Sequence, residues 1–452
     1  MSIKFGHIWC IIALVAICSC STSSNKTVTT SNIAKLKTFA FTAVDSIPGL
    51  GEATFKIEER LDTGLVTNQI NMTDSLRYGT LINKVVPKFT CETTPASVVI
   101  RTSDTTITMS GKDTIDFTKT PIYMTITSSD LTAKKTYEIV VTVHQVDPDL
   151  YVWETLTEKA YQPEDEDQKT VLFGNKFWLY SNNGFENALR SSADGITWSV
   201  ETLSGLPDNC RVKGIVTDEN KLYYAADQTL YTSEDAINWT ADDYSDKPFT
   251  LQTMLMQYND TMWLVVEDTT NILYLAQIVE DTVRKLDVQL DDEFPVSGFA
   301  TVAFMNISGR KRAMVIGGYA RNGECVNSRW NLEYSPTLQQ PYRMLNYSIE
   351  QPEFAKLTGV SVISYDDKLL MFGGVDKDMI FRGNDILVSE DEGFTWHKAD
   401  TAECKLPDTY TPRQKQSVIV DDDNIYIFGG QDLQETFTDV YKGRLNSIDW
   451  IK

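Results

Sequence analysis

The chain has 452 residues, of which 42% are hydrophobic and 23% are charged, and its formal net charge at pH 7 is -22. This length is too great for one compact core and predicts two or three domains, while the hydrophobic fraction is typical of a folded chain and argues against disorder. The excess of 63 acidic over 41 basic residues repels phosphate backbones and anionic lipid, which argues against nucleic acid as a partner.

The first twenty residues are typical of a secretion signal. Lys4 precedes an apolar run over residues 8–17 that is too short to span a bilayer as a helix. The next residues, Ile17-Cys18-Ser19-Cys20, resemble a bacterial lipobox, in which a lipid-modified cysteine becomes the mature N-terminus. The resemblance implies a signal peptide over 1–19, lipidation of Cys20, and a flexible tether over 20–32. An ordinary secreted protein is the alternative.

Lipidation at this position implies where the protein is found. We expect a protein attached to the outer membrane of a Gram-negative bacterium, on its periplasmic or cell-surface face. The lipid would then be the only contact with the membrane. Four cysteines follow the lipobox, Cys91, Cys210, Cys325 and Cys404, and their irregular spacing leaves both free thiols and disulfides open.

Short runs of alternating apolar and polar residues fill the segment 33–147. LKTFAFTA from Leu36 and TYEIVVTV from Thr136 are two of them. Period-two runs separated by Gly, Pro, Asp and Ser predict an antiparallel β-sandwich of roughly seven strands. The segment resembles the Ig-like modules of bacterial envelope lipoproteins. This resemblance implies a spacer or docking module without a catalytic residue.

A hairpin recurs through the remaining segment, 151–452. Each copy is an apolar strand, a tight polar turn and an aromatic-rich strand, and the clearest copies cover 361–374 and 416–430. The unit repeats every roughly 40 to 55 residues, and one copy alone cannot bury its faces. Such a repeat predicts a β-propeller. The Gly-Gly endings at 317–318, 373–374 and 429–430 resemble those of kelch repeats, where close packing and a sharp turn exclude side chains.

A second recurrent feature follows several hairpins. Residues 389–396 match the Asp-box pattern S-x-D-x-G-x-T-W, and residues 192–198 and 233–239 are copies one residue shorter. The resemblance implies that Ser and Asp bond the turn between a blade's third and fourth strands, while Trp packs between sheets. The residues in these structural roles are Asp194, Trp198, Asp235, Trp239, Asp391 and Trp396.

The repeats predict six blades, so the expected fold class is all-β, with an Ig-like β-sandwich followed by a six-bladed propeller. A seventh blade within 327–354 is the alternative. The last repeat has no room for its outer strand, and residues 153–156 could supply it. Closing the ring with an N-terminal strand would remove both open sheet edges.

Propellers hold ligands on the face built by the loops that enter strand one and leave strand two. Basic and aromatic residues of these loops could bind a carboxylated sugar or an acidic peptide. We assign this role to Arg211, Tyr319, Arg321, Lys356, Arg382 and Arg413. The alternative is that these side chains are ordinary solvated loop residues.

The sequence contains no recognisable catalytic motif and predicts no cofactor. After the signal, His144 and His397 are the only histidines, so a histidine-based metal centre is not expected. A noncatalytic, monomeric envelope protein that binds a glycan or a protein partner is the favoured function. There are two alternatives. One is a sialidase-like enzyme, since the chain resembles sialidases in its Asp-boxes, and the other is a purely structural scaffold.

Overall fold

The computed structural model describes residues 30–47, 49–69, 75–145, 147, 149–161, 167–306, 308–338, 341–348, 356–400 and 404–446. These residues form β-strands and two short 3-10 helices, Leu50–Glu52 and Val212–Gly214, which confirms the all-β prediction. The expected signal peptide, Cys20 and most of the tether lie outside the described residues. Within them, no helix has the length and apolar character needed to cross a membrane.

The chain divides into two compact units, the first ending at Gln145 and the second beginning at Val146. The described strands of the first unit are β1 Leu36–Phe41, β2 Lys56–Glu59, β3 Thr63–Thr67, β4 Pro87–Cys91, β5 Ser97–Arg101, β6 Thr106–Thr108, β7 Ile122–Thr127 and β8 Lys134–Val140. One sheet pairs β1 with β4, and the other has the order β2-β3-β8-β7-β5-β6.

One apolar core holds the first unit together. Phe39, Phe41 and Phe117 are buried in it, and Phe39 and Phe41 each contact the ring of Phe55 at 4.9 Å between centroids. The strand pair β3–β8 is parallel, which departs from the antiparallel expectation. Side chains alternate in the same way in parallel and antiparallel strands, so the alternation could not set this direction.

The second unit begins with β9 Tyr151–Thr157 and continues with blades of four strands. Blade 1 contains β10 Asp167–Phe173, β11 Lys176–Asn182, β12 Asn187–Ser192 and β13 Ser199–Glu201. Blade 2 contains β14 Val216–Thr217, β15 Leu222–Ala226, β16 Thr229–Ser233 and β17 Thr240–Asp243. Blade 3 contains β18 Phe249–Tyr258, β19 Thr261–Asp268, β20 Leu273–Val279 and β21 Thr282–Gln289.

Blade 4 contains β22 Ala300–Met305, β23 Lys311–Ile316, β24 Arg329–Tyr334 and β25 Tyr342–Asn346. Before blade 5 comes β26 Leu357–Thr358, which pairs separately with β29 Val375–Asp376. Blade 5 itself contains β27 Ser361–Tyr365, β28 Lys368–Phe372, β30 Leu387–Ser389 and β31 His397–Lys398. Blade 6 contains β32 Ser417–Asp421, β33 Asn424–Gln431 and β34 Thr436–Leu445, and its fourth strand is β9.

The inner strands form a closed ring. In chain order, β10, β14, β18, β22, β27 and β32 each contact the next, and β32 contacts β10. The described residues therefore form six blades, as predicted, and the segment proposed for a seventh supplies β24 and β25 of blade 4. The predicted closure is also present, because β9 pairs antiparallel with β34, with Trp153 opposite Gly443.

Hydroxyl groups link neighbouring inner strands around the axis. The backbone N–H of Thr170 donates to the Ser417 hydroxyl at 2.9 Å, which joins blades 1 and 6. The Ser361 hydroxyl donates to the Gln416 carbonyl at 2.7 Å and joins blades 5 and 6. Further out, apolar layers fill the space between blades, as where the rings of Phe177 and Phe428 lie 4.8 Å apart. The ring is thus held by polar contacts inside and apolar packing outside.

The paired glycines end the second strands of blades 4, 5 and 6, as the sequence indicates. Gly373 and Gly374 have φ of 59° and 92°, in the left-handed region that favours glycine. A Cβ on Gly374 would lie 2.4 Å from a side-chain carbon of Val360. Both the sharp turn and the close packing therefore require glycine at this strand end.

Candidate functional site

The propeller has two faces that differ in their connections. We define the loop face as the side with the loops that enter each first strand and those between second and third strands. We define the turn face as the opposite side, with the first-to-second and third-to-fourth strand turns. This division decides which side chains can meet around the axis of the ring.

Three third-to-fourth strand turns share one hydrogen-bond pattern on the turn face, and we name them the Ser-Asp turns (192–198, 233–239 and 389–396). In the first, Oδ1 of Asp194 accepts from the backbone N–H groups of Ile196 and Thr197, each at 2.8 Å. Asp235 and Asp391 accept equivalent bonds in the other two turns. The carboxylates therefore organise backbone, which is a structural task.

These hydrogen bonds also control protonation. Burial raises the pKa of Asp235, but the hydrogen bonds from Asn238 and Ile237 outweigh burial and hold the pKa at about 2. The tryptophans of the turns are partly or fully buried, and the indole N–H of Trp198 and that of Trp396 each donate to a glycine carbonyl of their own turn at 3.1 Å. Trp239 is buried in the apolar layer between blades 1 and 2.

Two grooves adjoin Ser-Asp turns on the turn face. One, of about 610 Å³, lies beside Ser233 and Asp235, and another, of about 390 Å³, lies beside Ser389 and Asp391. In the larger groove, Lys221 pairs with Asp281 at 2.9 Å. Among the described residues, no group of three or more His, Cys, Asp or Glu side chains could hold a metal ion. In the smaller groove, Lys368 pairs with Glu390 at 2.9 Å, so charged side chains of both grooves are already engaged in ion pairs.

Arg413 does not belong to a ligand-binding rim, and the sequence-based assignment is corrected here. Its side chain is fully buried, and its guanidinium donates to both carboxylate oxygens of Asp439 and to the Gly429 carbonyl. The rings of Tyr410 and Phe437 lie 4.5 and 4.0 Å from its guanidinium carbon. With its donors and faces engaged inside blade 6, Arg413 has nothing to offer a ligand.

The other assigned residues stay on the loop face but do not form one site. Arg321 donates to Glu267 and to the Asn271 carbonyl, both at 2.7 Å, and so ties blade 4 to blade 3. Tyr319 is half-buried in a loop of blade 4, and Lys356 and Arg382 lie at blade 5. Arg211 is exposed before blade 2, and blades 2 and 5 are opposite each other in a ring of six.

Exposed apolar side chains mark the loops between second and third strands in three consecutive blades. Phe185 of blade 1 is 85% exposed, Leu433 of blade 6 is 68% exposed, and Met379 and Ile380 of blade 5 are 40% and 63% exposed. We name these four residues the loop-tip surface. Among the described residues, the corresponding loops of blades 2, 3 and 4 carry no exposed large apolar side chain. The apolar tips are therefore confined to one half of the loop face.

Asn or Asp side chains hold each of these loops in shape. Oδ1 of Asn183 accepts from the backbone N–H groups of Phe185 and Glu186 at 2.9 and 3.0 Å. Asp432 binds two backbone N–H groups of its loop at 2.7 and 2.8 Å, and Asp376 binds those of Asp378 and Ile380, each at 2.9 Å. Such Asx turns fix a loop without regular secondary structure, so the tips are displayed in an ordered form.

The loop-tip surface was not predicted from the sequence, because the site residues were selected mainly for charge and three of the four tip residues are aliphatic. A signal was present. In the predicted loop after each second strand, Asn183 precedes Phe185 by two residues and Asp432 directly precedes Leu433. Loops run over the protein surface, so a large apolar residue among polar turn residues is a candidate for an exposed apolar side chain.

Comparison with known proteins places this arrangement in a family. A family model described as the DUF6242 beta propeller domain matches residues 147–452. The chain belongs to the DUF6242 family. The model of the family's N-terminal domain, a domain of unknown function, matches residues 19–141. No curated protein matches the chain.

A likeness to a solved structure accompanies the family match. The structure titled "Structure of YjhT" is 11% identical to this DUF6242 chain, with a TM-score of 0.46. The match covers 63% of this chain and 96% of the other.

Proposed function

We propose that this DUF6242 protein is a noncatalytic binding protein whose propeller engages a protein partner through the loop-tip surface. The observation that supports the proposal is the confinement of Phe185, Ile380 and Leu433 to loops of three consecutive blades. Single exposed apolar residues are normal on a protein surface, whereas apolar residues grouped on one side are typical of interaction sites.

The fixed conformation of the three loops favours binding. An interface loses free energy when flexible loops must be fixed on association. Asn183, Asp376 and Asp432 already fix these loops by hydrogen bonds to their backbones. Association would therefore bury apolar area at a small cost in conformational entropy.

The chemistry of the surface favours a protein over a glycan. Sugar-binding sites rely on aromatic rings and hydrogen-bonding side chains, but Met379, Ile380 and Leu433 are aliphatic. Aliphatic side chains gain free energy mainly by burial against other apolar groups. A folded protein with an apolar patch of its own meets this requirement, and a carbohydrate would engage Phe185 alone.

Site-specific crosslinking in the native cells tests the proposal. A photoreactive amino acid is placed at position 185, 380 or 433 of the full chain, one position at a time. We expect all three to give an adduct of the same partner, because they lie on one surface. The matched control places the same amino acid at Val200, which is 80% exposed on the outer strand β13, and we expect no adduct there.

A double variant tests whether the adduct depends on the side chains of the loop-tip surface. In the double variant Phe185→Ser and Leu433→Ser, the adduct formed from position 380 should fall about tenfold or more, since each removed side chain takes with it roughly 1.5 kcal/mol or more of burial. Equal adduct formation from Val200, or an undiminished adduct in the double variant, would show that the loop-tip surface is not the binding site.

We further propose that the protein is a lipoprotein of the bacterial envelope, anchored through Cys20. The support is the apolar run over 8–17 and the lipobox-like residues that end at Cys20. The first unit would then be an Ig-like spacer, and the second a kelch-like propeller with Asp-boxes on the turn face. Mass spectrometry of the mature N-terminus should show an acylated cysteine, and Cys20→Ser should release the protein from membranes. An unmodified mature N-terminus would refute the anchor.

A further inference from the structure

Three lysines lie at the loop-face end of the inner strands. Lys169 is in β10 of blade 1, Lys213 is in the 3-10 helix before β14 of blade 2, and Lys415 is in the loop before β32 of blade 6. All three side chains are half-buried. Asp167, at the start of β10, is the acidic member of the group, and we name the four residues the axial lysine cluster.

A hydrogen bond joins the flanking blades of the cluster. Nζ of Lys213 donates to the backbone carbonyl of Lys415, and so it reaches from blade 2 to blade 6. Blade 1 lies between these blades in the ring, so the Lys213 side chain passes the start of β10, where Asp167 and Lys169 are. The four residues therefore come together from three consecutive blades.

The positive charge of the cluster is not balanced within it. Three ammonium groups face one carboxylate, which leaves two positive charges when every group is ionised. Oδ1 of Asp167 is buried and has no hydrogen-bond partner among the described residues. The ion pairs of the described residues involve other lysines, such as Lys221 and Lys368. Unbalanced charge removed from water costs free energy unless a counter-charge is added.

Protonation of the cluster reflects this imbalance. The pKa of Lys213 is lowered to about 7, and burial is the largest cause. The charge of Asp167 opposes this shift, whereas the charges of Lys169 and Lys415 add to it. Burial lowers the pKa of Lys169 as well, again opposed by Asp167. Desolvation and like charge both disfavour the ammonium form. A bound anion would offset both effects at Lys213, because its negative charge favours the ammonium form.

We propose that the axial lysine cluster is a binding site for a small oxyanion with two negative charges. Two negative charges neutralise the two unbalanced positive charges, and the oxygens of such an anion accept hydrogen bonds from ammonium groups. Sulfate and a short dicarboxylate share this chemistry. The site is separate from the loop-tip surface and does not depend on the function proposed for it.

Calorimetric titration of the full chain with sulfate and with succinate tests the proposal and distinguishes a tetrahedral anion from a dicarboxylate. Chloride at matched ionic strength controls for screening. We expect saturable binding of at least one dianion. In Lys213→Met and in Lys169→Met its affinity should fall by about tenfold or more, since each variant removes one hydrogen bond to a charged group. Lys247→Met is the matched control, because Lys247 is a partly exposed loop-face lysine that pairs with Asp246.

A further variant guards against loss of folding. Lys415→Met removes an ammonium group but keeps the carbonyl that accepts from Lys213, so it should fold and still bind the dianion less tightly. Affinity of wild type should also rise as the pH falls through about 7, because the anion favours the ammonium form of Lys213. Absence of saturable binding, or an equal loss in Lys247→Met, would overturn the proposal.

Discussion

The buried ion pair of Arg413 and Asp439 joins the loop that enters blade 6 to its third strand. Burial disfavours the charge of Arg413, but the hydrogen bonds and charge of Asp439 raise its pKa above the usual value. Such a pair contributes little net stability compared with apolar residues, but loss of one partner leaves a buried charge. Arg413 therefore has a structural role in blade 6.

Arg413→Met should destabilise the propeller by about 3–5 kcal/mol, because it leaves the Asp439 carboxylate without its partner. The measurement is the free energy of unfolding in urea, taken from the transition of the second unit. Arg321→Met is the control. Arg321 and Glu267 pair near the surface, so the loss should be at most about 1 kcal/mol. Equal losses for the two variants would contradict the structural role of Arg413.

Lys213 should make the stability of the propeller depend on pH. Its pKa is about 7 in the fold and about 10.4 when unfolded. Between these values the unfolded chain binds more protons, so stability should rise as the pH is raised from 7 towards 10. In chloride buffer, the melting temperature of wild type should rise over this range relative to that of Lys213→Met. A constant difference between the two proteins would show that the fold does not lower the pKa of Lys213.

Part of the axial lysine cluster was readable in the sequence. Arg211-Val212-Lys213 and Arg413-Gln414-Lys415 are the same Arg-x-Lys pattern before the first strands of blades 2 and 6. Guanidinium is the better carboxylate ligand, which favours the arginine of each pattern as the predicted site residue. It is the lysine two residues later that lies next to the axis. Which of two cations faces the axis depends on the path of the loop, and residue type does not report that path.

At the scale of strands and turns, the repeats predicted the propeller well. Polar turns, apolar second strands and paired glycines recur in register, so a single supersecondary unit could be recognised six times. The first unit was less predictable. Alternation predicted its strands but not that β3 and β8 run parallel, because strand direction depends on connections across the sheet and not on the faces of one strand.

The pairing of β9 with β34 depends on a contact between a large and a small residue. A Cβ on Gly443 would lie 2.3 Å from the Trp153 ring. Gly443→Ala should therefore displace Trp153 and lower the free energy of unfolding by about 1–3 kcal/mol. Gly383→Ala is the control, since nothing lies within 4 Å of its added Cβ, and its effect should be near zero. A neutral Gly443→Ala variant would contradict the observed packing at the closure.

For the whole molecule, the two faces of the ring divide the work. The turn face carries the Ser-Asp turns, whose carboxylates and tryptophans stabilise the blades. The loop face carries the ordered apolar tips of blades 5, 6 and 1 and, nearer the axis, the unbalanced lysines of blades 6, 1 and 2. The two features overlap on the loop face, because blades 6 and 1 contribute to both.

Hydrogen–deuterium exchange distinguishes a protein partner bound at the loop-tip surface from one bound elsewhere on the propeller. Once crosslinking has identified the partner, amide exchange in the propeller is measured with and without it. Binding at the loop-tip surface should slow exchange in the loops 183–186, 376–382 and 432–435 and leave exchange in the Ser-Asp turns unchanged. Protection confined to the Ser-Asp turns, with no change in the three loops, would contradict it.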